Sequence, residues 1–181
     1  MYTNMESYLM KKLLLPLMVS GALFSGYTFA NTGEVQFIGA VTSETCDIDT
    51  EVGGLVKSTI DLGQMTTADK NGDYVEFDLV PRTDECLKKT SGQVGWQSAG
   101  FTNSGLANMK GTANGVSIQL TATNSTTPNQ DVTYNSQTVD FGNGTDAIGN
   151  MKFKARMLAT TGQTVTEGTV ISSATYAVAY K

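Results

Sequence analysis

The side chains that could do chemistry in this chain are few, and most are of the wrong kind for catalysis. The 181 residues include no histidine and only two cysteines, Cys46 and Cys86. Without histidine there is no Ser-His-Asp triad, no Cys-His dyad, no histidine-based zinc site and no haem ligation by histidine. The run Asp69-Lys70-Asn71-Gly72-Asp73 starts like a calcium loop. Its glycine falls at the fourth position rather than the sixth, and Val80 stands at the twelfth where glutamate belongs, so it reads as a polar turn. Gly142 to Gly149 lacks the GxGxxG spacing of a phosphate loop and reads as part of a hairpin-rich region. Asn124-Ser125-Thr126 and Asn143-Gly144-Thr145 match the glycosylation sequon, which matters only on a eukaryotic secretory route. Lys152, Lys154 and Arg156 form a basic stripe that reads as the solvated face of an antiparallel strand. No pair of carboxylates is singled out for glycoside hydrolysis. An enzyme, a cofactor and a metal are not expected.

What the two cysteines do depends on the compartment. Met10 to Ala30 opens with Lys11 and Lys12, continues through the apolar run Leu13 to Phe24 and ends in Thr28-Phe29-Ala30. That is the pattern of a cleaved secretory signal peptide, expected over residues 1–30, with Met10 as a possible start of translation. As a membrane anchor the run is too short and is broken by Pro16, Ser20 and Gly21. Removing it leaves 151 residues, enough for one domain with a sizeable core, carrying ten basic and sixteen acidic side chains. An acidic surface of this kind argues against nucleic acid as a partner. In an exported chain, two cysteines are expected to form one disulfide.

The elements that must position these residues read as strands. Tyr74 to Val80 places Val75, Phe77 and Leu79 on one face, with Glu76 and Asp78 on the other. Val116 to Ala122 and Met151 to Ala159 alternate in the same way. Gln93 to Ala99 carries the only tryptophan, Trp96, and Val56 to Leu62 is a further candidate. The last segment places Tyr176, Val178 and Tyr180 on one face. Asn71-Gly72, Asn114-Gly115 and Asn143-Gly144 are turn signals, and no amphipathic helix is evident after residue 30. The predicted fold class is an all-β sandwich or barrel. Near the start, Gly33 to Val41 alternates Val35, Phe37, Gly39 and Val41 against Glu34, Gln36, Ile38 and Ala40. By alternation alone it is an ordinary first strand of its own sheet.

The ordered set of these segments resembles the chaperone–usher pilins, structural subunits of bacterial fimbriae similar to the type 1 rod subunit. The likeness is carried by "GEVQFIGAVTSETCDID", "IDLGQM", "FDLVPRTDEC", "VSIQL", "NGTDAIGNMKFKARMLATTG" and "ATYAVAYK", and it covers residues 31–181. The segment before Gly33 is shorter than in the type 1 rod subunit. The resemblance implies an immunoglobulin-like β-sandwich lacking its final strand, completed by donor-strand complementation. It implies residues 31–41 as a donor-strand extension, with Val35, Phe37 and Val41 entering pockets of a neighbouring subunit and Gly39 at a shallow point. Residues 42–181 would be the pilin domain. Tyr176, Val178, Tyr180 and Lys181 would line the acceptor groove or the chaperone contact. The implied partners are a periplasmic chaperone, an outer-membrane usher, identical subunits in a filament and a separate tip adhesin. The implied location is a fimbrium on the bacterial surface, reached through the periplasm. The alternative is a minor or single-domain adhesive subunit that binds a host receptor directly, through loops such as Asn124 to Gln130.

Overall fold

The computed structural model describes residues 46–142 and 145–181. Its strands are β1 (Ile48–Val52), β2 (Leu55–Val56), β3 (Val75–Pro81), β4 (Gly92–Gln97), β5 (Phe101–Thr102), β6 (Gly105–Ala107), β7 (Val116–Ala122), β8 (Gln130–Asp131), β9 (Thr138–Phe141), β10 (Met151–Ala159) and β11 (Thr175–Tyr180). Two short helices, α1 (Asp84–Leu87) and α2 (Thr145–Gly149), sit between them. One sheet has the order β2-β1-β3-β10-β7-β6-β5, with β8 also paired to β7; the other has the order β11-β4-β9.

The alternation read from the sequence becomes the core. Phe77 and Leu79 of β3, Leu120 of β7 and Phe153 of β10 are buried against Val94 and Trp96 of β4 and Phe141 of β9. Edge-to-face contacts join the sheets: Trp96 to Phe153 at 5.2 Å between ring centroids, and Phe141 to Phe153 at 5.7 Å. Each such pair adds about 1 kcal/mol beyond the area it buries. The polar positions of the same strands face outward. Lys154 and Arg156 both lie over the exposed Tyr74 ring, 4.4 and 4.3 Å from its centroid, so the basic stripe is a solvated face with its own aromatic partner.

The structure corrects several expectations. Val56 to Leu62 is not a strand: pairing ends with Leu55–Val56, and residues 57–70 join no ladder among the described residues. The hairpin that precedes it turns at Gly53-Gly54, with φ of 59° and 76°. A two-residue turn with both φ values positive suits glycine, so this pair was a legible signal. Asn71-Gly72 is not a hairpin tip. Asn71 bridges Leu158, and the Gly72 amide donates to the Met157 carbonyl, so the chain is held at the edge of β10. The Gly142–Gly149 region carries α2 rather than a hairpin, and Asn143-Gly144 lies outside the described residues.

Candidate functional site

Two pieces of chain without regular strand structure, residues 59–67 and 165–172, face each other across a groove of about 930 Å³. Ala113, Val116, Ile118 and Met157 also line it, as do Ile60, Leu62 and Met65 on one side and Val165 and Val170 on the other. Between these apolar side chains the lining also carries Asp61, Gln64, Thr166 and Glu167. β11 is the end strand of the smaller sheet and pairs only with β4 among the described residues. Ile60, Leu62, Ile118, Ala174, Tyr176 and Val178 touch the core yet are only partly buried. Half-covered apolar side chains near a strand edge that has no partner among the described residues are what a further extended segment would cover.

The chain runs on from Ser172 into β11, where the four C-terminal residues singled out from the sequence lie. Tyr176 packs its ring on Trp96 at 5.5 Å. Its hydroxyl donates to the Ile48 carbonyl and accepts from Thr50 Oγ1, both at 3.2 Å, so it ties β11 to β1. Val178 is partly buried opposite Val94 in the β11–β4 register. Tyr180 is buried in the core, with its hydroxyl 3.4 Å from the Ile148 carbonyl. Burial pushes that hydroxyl up to about 12, because the charged phenolate is poorly solvated there. The Lys181 amide donates to the Ser91 carbonyl at 2.9 Å, and the Lys181 carbonyl accepts from the Thr90 amide at 3.1 Å. Tyr176, Val178 and Tyr180 thus share the inward face of one strand, as their spacing predicts. None of the four C-terminal residues lines the groove itself: its lining includes Ile60, Leu62 and Met65 of "IDLGQM" and Val116 and Ile118 of "VSIQL", together with residues 165–172, which the sequence did not single out.

Cys46 and Cys86 form a disulfide with a Cα separation of 6.2 Å. The segment "FDLVPRTDEC" does not continue as a strand up to Cys86. β3 ends instead at Pro81, and Cys86 is buried on α1, where Thr83 and Asp84 begin a helical turn. Val35, Phe37, Gly39 and Val41 lie outside the described residues.

The remaining motifs resolve into local structure. Asp69 accepts from the Thr66 amide at 2.9 Å and the Thr66 hydroxyl at 2.7 Å. The Thr66 hydroxyl first, and then its amide, hold the Asp69 carboxyl below its usual range. It closes a turn, as expected. The Asn124 carboxamide donates to the Asn150 carbonyl at 2.9 Å and accepts from the Lys152 amide at 2.8 Å, so it is spent on tying the end of β7 to the start of β10. Among the described residues, no group of three or more histidine, cysteine or acidic side chains is arranged to hold a metal.

The fold is an immunoglobulin-like β-sandwich, with a groove lined by both apolar and polar side chains. A family model described as "Fimbrial protein" matches residues 35–181. The K99 fimbrial protein of Escherichia coli is 41% identical over 122 residues, covering 64% of this chain and 66% of that protein. The F107 fimbrial protein of Escherichia coli is 30% identical over 176 residues, covering 95% of this chain and 100% of that protein. The crystal structure of the P pilus rod subunit PapA has a TM-score of 0.54 at 17% identity, covering 83% of this chain and 100% of that one. The chain belongs to the fimbrial protein family, and it is a structural pilin.

Proposed function

We propose that this pilin polymerises head to tail, with residues 31–41 of one copy lying in the groove of the next. The observation that carries the reading is the groove between residues 59–67 and 165–172, whose second wall leads through Ser172 into β11, a strand with a single partner among the described residues. Asn31 to Val41 reaches about 36 Å when extended, enough to run the length of a sandwich. Its apolar face carries Val35, Phe37 and Val41, which suit a channel lined by Ile60, Leu62, Val116 and Ile118. Ser172 lines the groove, and its hydroxyl is buried without a hydrogen-bond partner among the described residues. A contact between unlike surfaces, groove to extension, does not close on itself and so builds a filament.

Before assembly, a periplasmic chaperone would cover the same groove and an outer-membrane usher would order the exchange. The product would be a fimbrium on the cell surface, with a separate tip adhesin. Assembly in this scheme needs no bond chemistry. Ile118→Glu puts a charge on the half-buried floor of the groove. It should abolish the acceptor role while the same chain still donates to a wild-type subunit. Mixed assembly, followed by size-exclusion chromatography and electron microscopy, reads both roles. Ile118→Glu subunits that extend filaments in both directions would remove the groove from the interface.

A further inference from the structure

The groove wall at residues 165–172 has no regular strand structure, so something else must hold it in place. The neighbouring loop, residues 108–115, does so, and one side chain makes the central connections. The Asn108 carboxamide makes four hydrogen bonds. Its nitrogen donates to the Ala113 carbonyl at 2.8 Å and to the Thr169 carbonyl at 2.9 Å. Its oxygen accepts from the Gly111 amide at 2.9 Å and from the Ile171 amide at 2.8 Å. A carboxamide has two donors and two acceptor sites, and here all are used on backbone groups. Two of those groups belong to the loop and two to the wall. Aspartate lacks the donors, and glutamine is one methylene too long for the same four contacts.

The surrounding bonds complete the clamp. The Met109 and Lys110 amides both donate to the Ile171 carbonyl at 3.0 Å, and the Ala113 amide donates to the Thr169 carbonyl at 3.0 Å. The Thr169 amide donates to Thr112 Oγ1 at 3.0 Å, and the Thr112 amide donates to Thr169 Oγ1 at 3.2 Å. The approach is so close that a Cβ at Gly111 would overlap the Thr169 carbonyl and the Asn108 side-chain oxygen. None of these contacts runs through the buried aromatic core.

We propose that Asn108 is a positioning residue for strand capture: its carboxamide fixes the 165–172 wall at the spacing that admits an extended segment. This rests on the groove being the acceptor site. With the wall held in advance, the incoming segment need not order it on binding, and affinity is gained by removing that cost. Without the clamp, the wall must be ordered at each capture.

The test uses the full oxidised chain in a Phe37→Asp background, so that its own extension does not compete. A fluorescent peptide of residues 31–41 is the probe, and amide hydrogen exchange is followed alongside. Asn108→Ala should weaken peptide binding at least tenfold. It should speed exchange at residues 169–172 at least tenfold and leave β7 and β10 protected as in the parent. Asn108→Asp keeps the two acceptor contacts and should recover part of the Ile171 protection. Gly111→Ala, which forces the wall away by another route, should weaken the peptide as Asn108→Ala does. Ile118→Glu separates this proposal from the groove reading. If Ile118→Glu abolishes peptide binding while Asn108→Ala stays within twofold of the parent, the groove stands and the role of Asn108 is refuted. If Asn108→Ala instead loosens β7 and β10 as much as the wall, Asn108 is a general stability residue and the proposal falls. If Ile118→Glu binds the peptide normally, the groove reading fails and takes the proposal with it.

Discussion

Tyr180 offers a perturbation whose size follows from its surroundings. The residue is 5% exposed. Its ring edge lies against Gly92, where an added Cβ would stand 3.6 Å from Cδ1 and Cε1. Truncating a buried aromatic to alanine costs about 3–5 kcal/mol, and the position at the end of an edge strand places Tyr180→Ala near about 3. Tyr180→Phe keeps the ring and loses only the long bond to the Ile148 carbonyl, worth under about 1 kcal/mol. The hydroxyl adds a pH dependence. Its folded value is raised to about 12 against roughly 10 in the unfolded chain. Below pH 10 both states keep the proton, and the contribution is constant. Between about 10 and 12 the unfolded state loses its proton first, so stability falls with rising pH. The total loss is on the order of 2–3 kcal/mol. Urea unfolding of the oxidised full chain from pH 7 to 12 measures this as the difference between wild type and Tyr180→Phe, which removes the other tyrosines from the comparison. The reasoning is refuted if that difference is flat from pH 9 to 12, or if Tyr180→Ala costs less than about 1 kcal/mol at pH 7.

Three other outcomes are expected. Cys46→Ser opens a bridge that spans 40 residues, worth roughly 4 kcal/mol in the chain-entropy model; thermal unfolding should show the loss, and non-reducing mass spectrometry should find the wild-type chain about 2 Da lighter than its reduced form. Phe37→Asp and Gly39→Leu should each block donation while leaving acceptance intact, and normal filaments from either variant would contradict the proposed interface. Asp78 is raised above its ordinary value chiefly by desolvation, with Glu51 and Glu76 adding repulsion against the pull of Lys152 and Asn150. Its folded state therefore holds the proton more tightly, and stability falls as pH rises through the carboxylate range. Asp78→Asn should be more stable than wild type at pH 7, with the gain shrinking in acid; equal unfolding midpoints at both ends of that range would contradict the assignment.

Much of the sandwich was legible because a half-buried strand must alternate. β7 and β10 occupy the stretches that their period of two marks out, and β3 and β11 differ from the reading by a residue or so at their ends. The inward face of Tyr176, Val178 and Tyr180, and the pairing of the only two cysteines, also follow from the chain alone. Short strands such as β5 and β8 escaped because two residues carry no periodicity.

The groove was not legible in the chain's local pattern. "IDLGQM" has apolar residues at strand spacing, yet it joins no ladder among the described residues. Whether such a segment becomes a strand depends on a neighbour, and its own residues cannot specify one. The same holds for Asn108, a polar residue beside a glycine-rich loop that reads locally as turn chemistry. Its importance comes from contacts 61 and 63 residues away, made where the loop before β7 meets the segment before β11. Sequence alternation determined which faces would be buried. Only the tertiary arrangement decided where the core would be left partly uncovered and what holds that opening in shape, because both depend on hydrogen bonds between segments far apart in the chain.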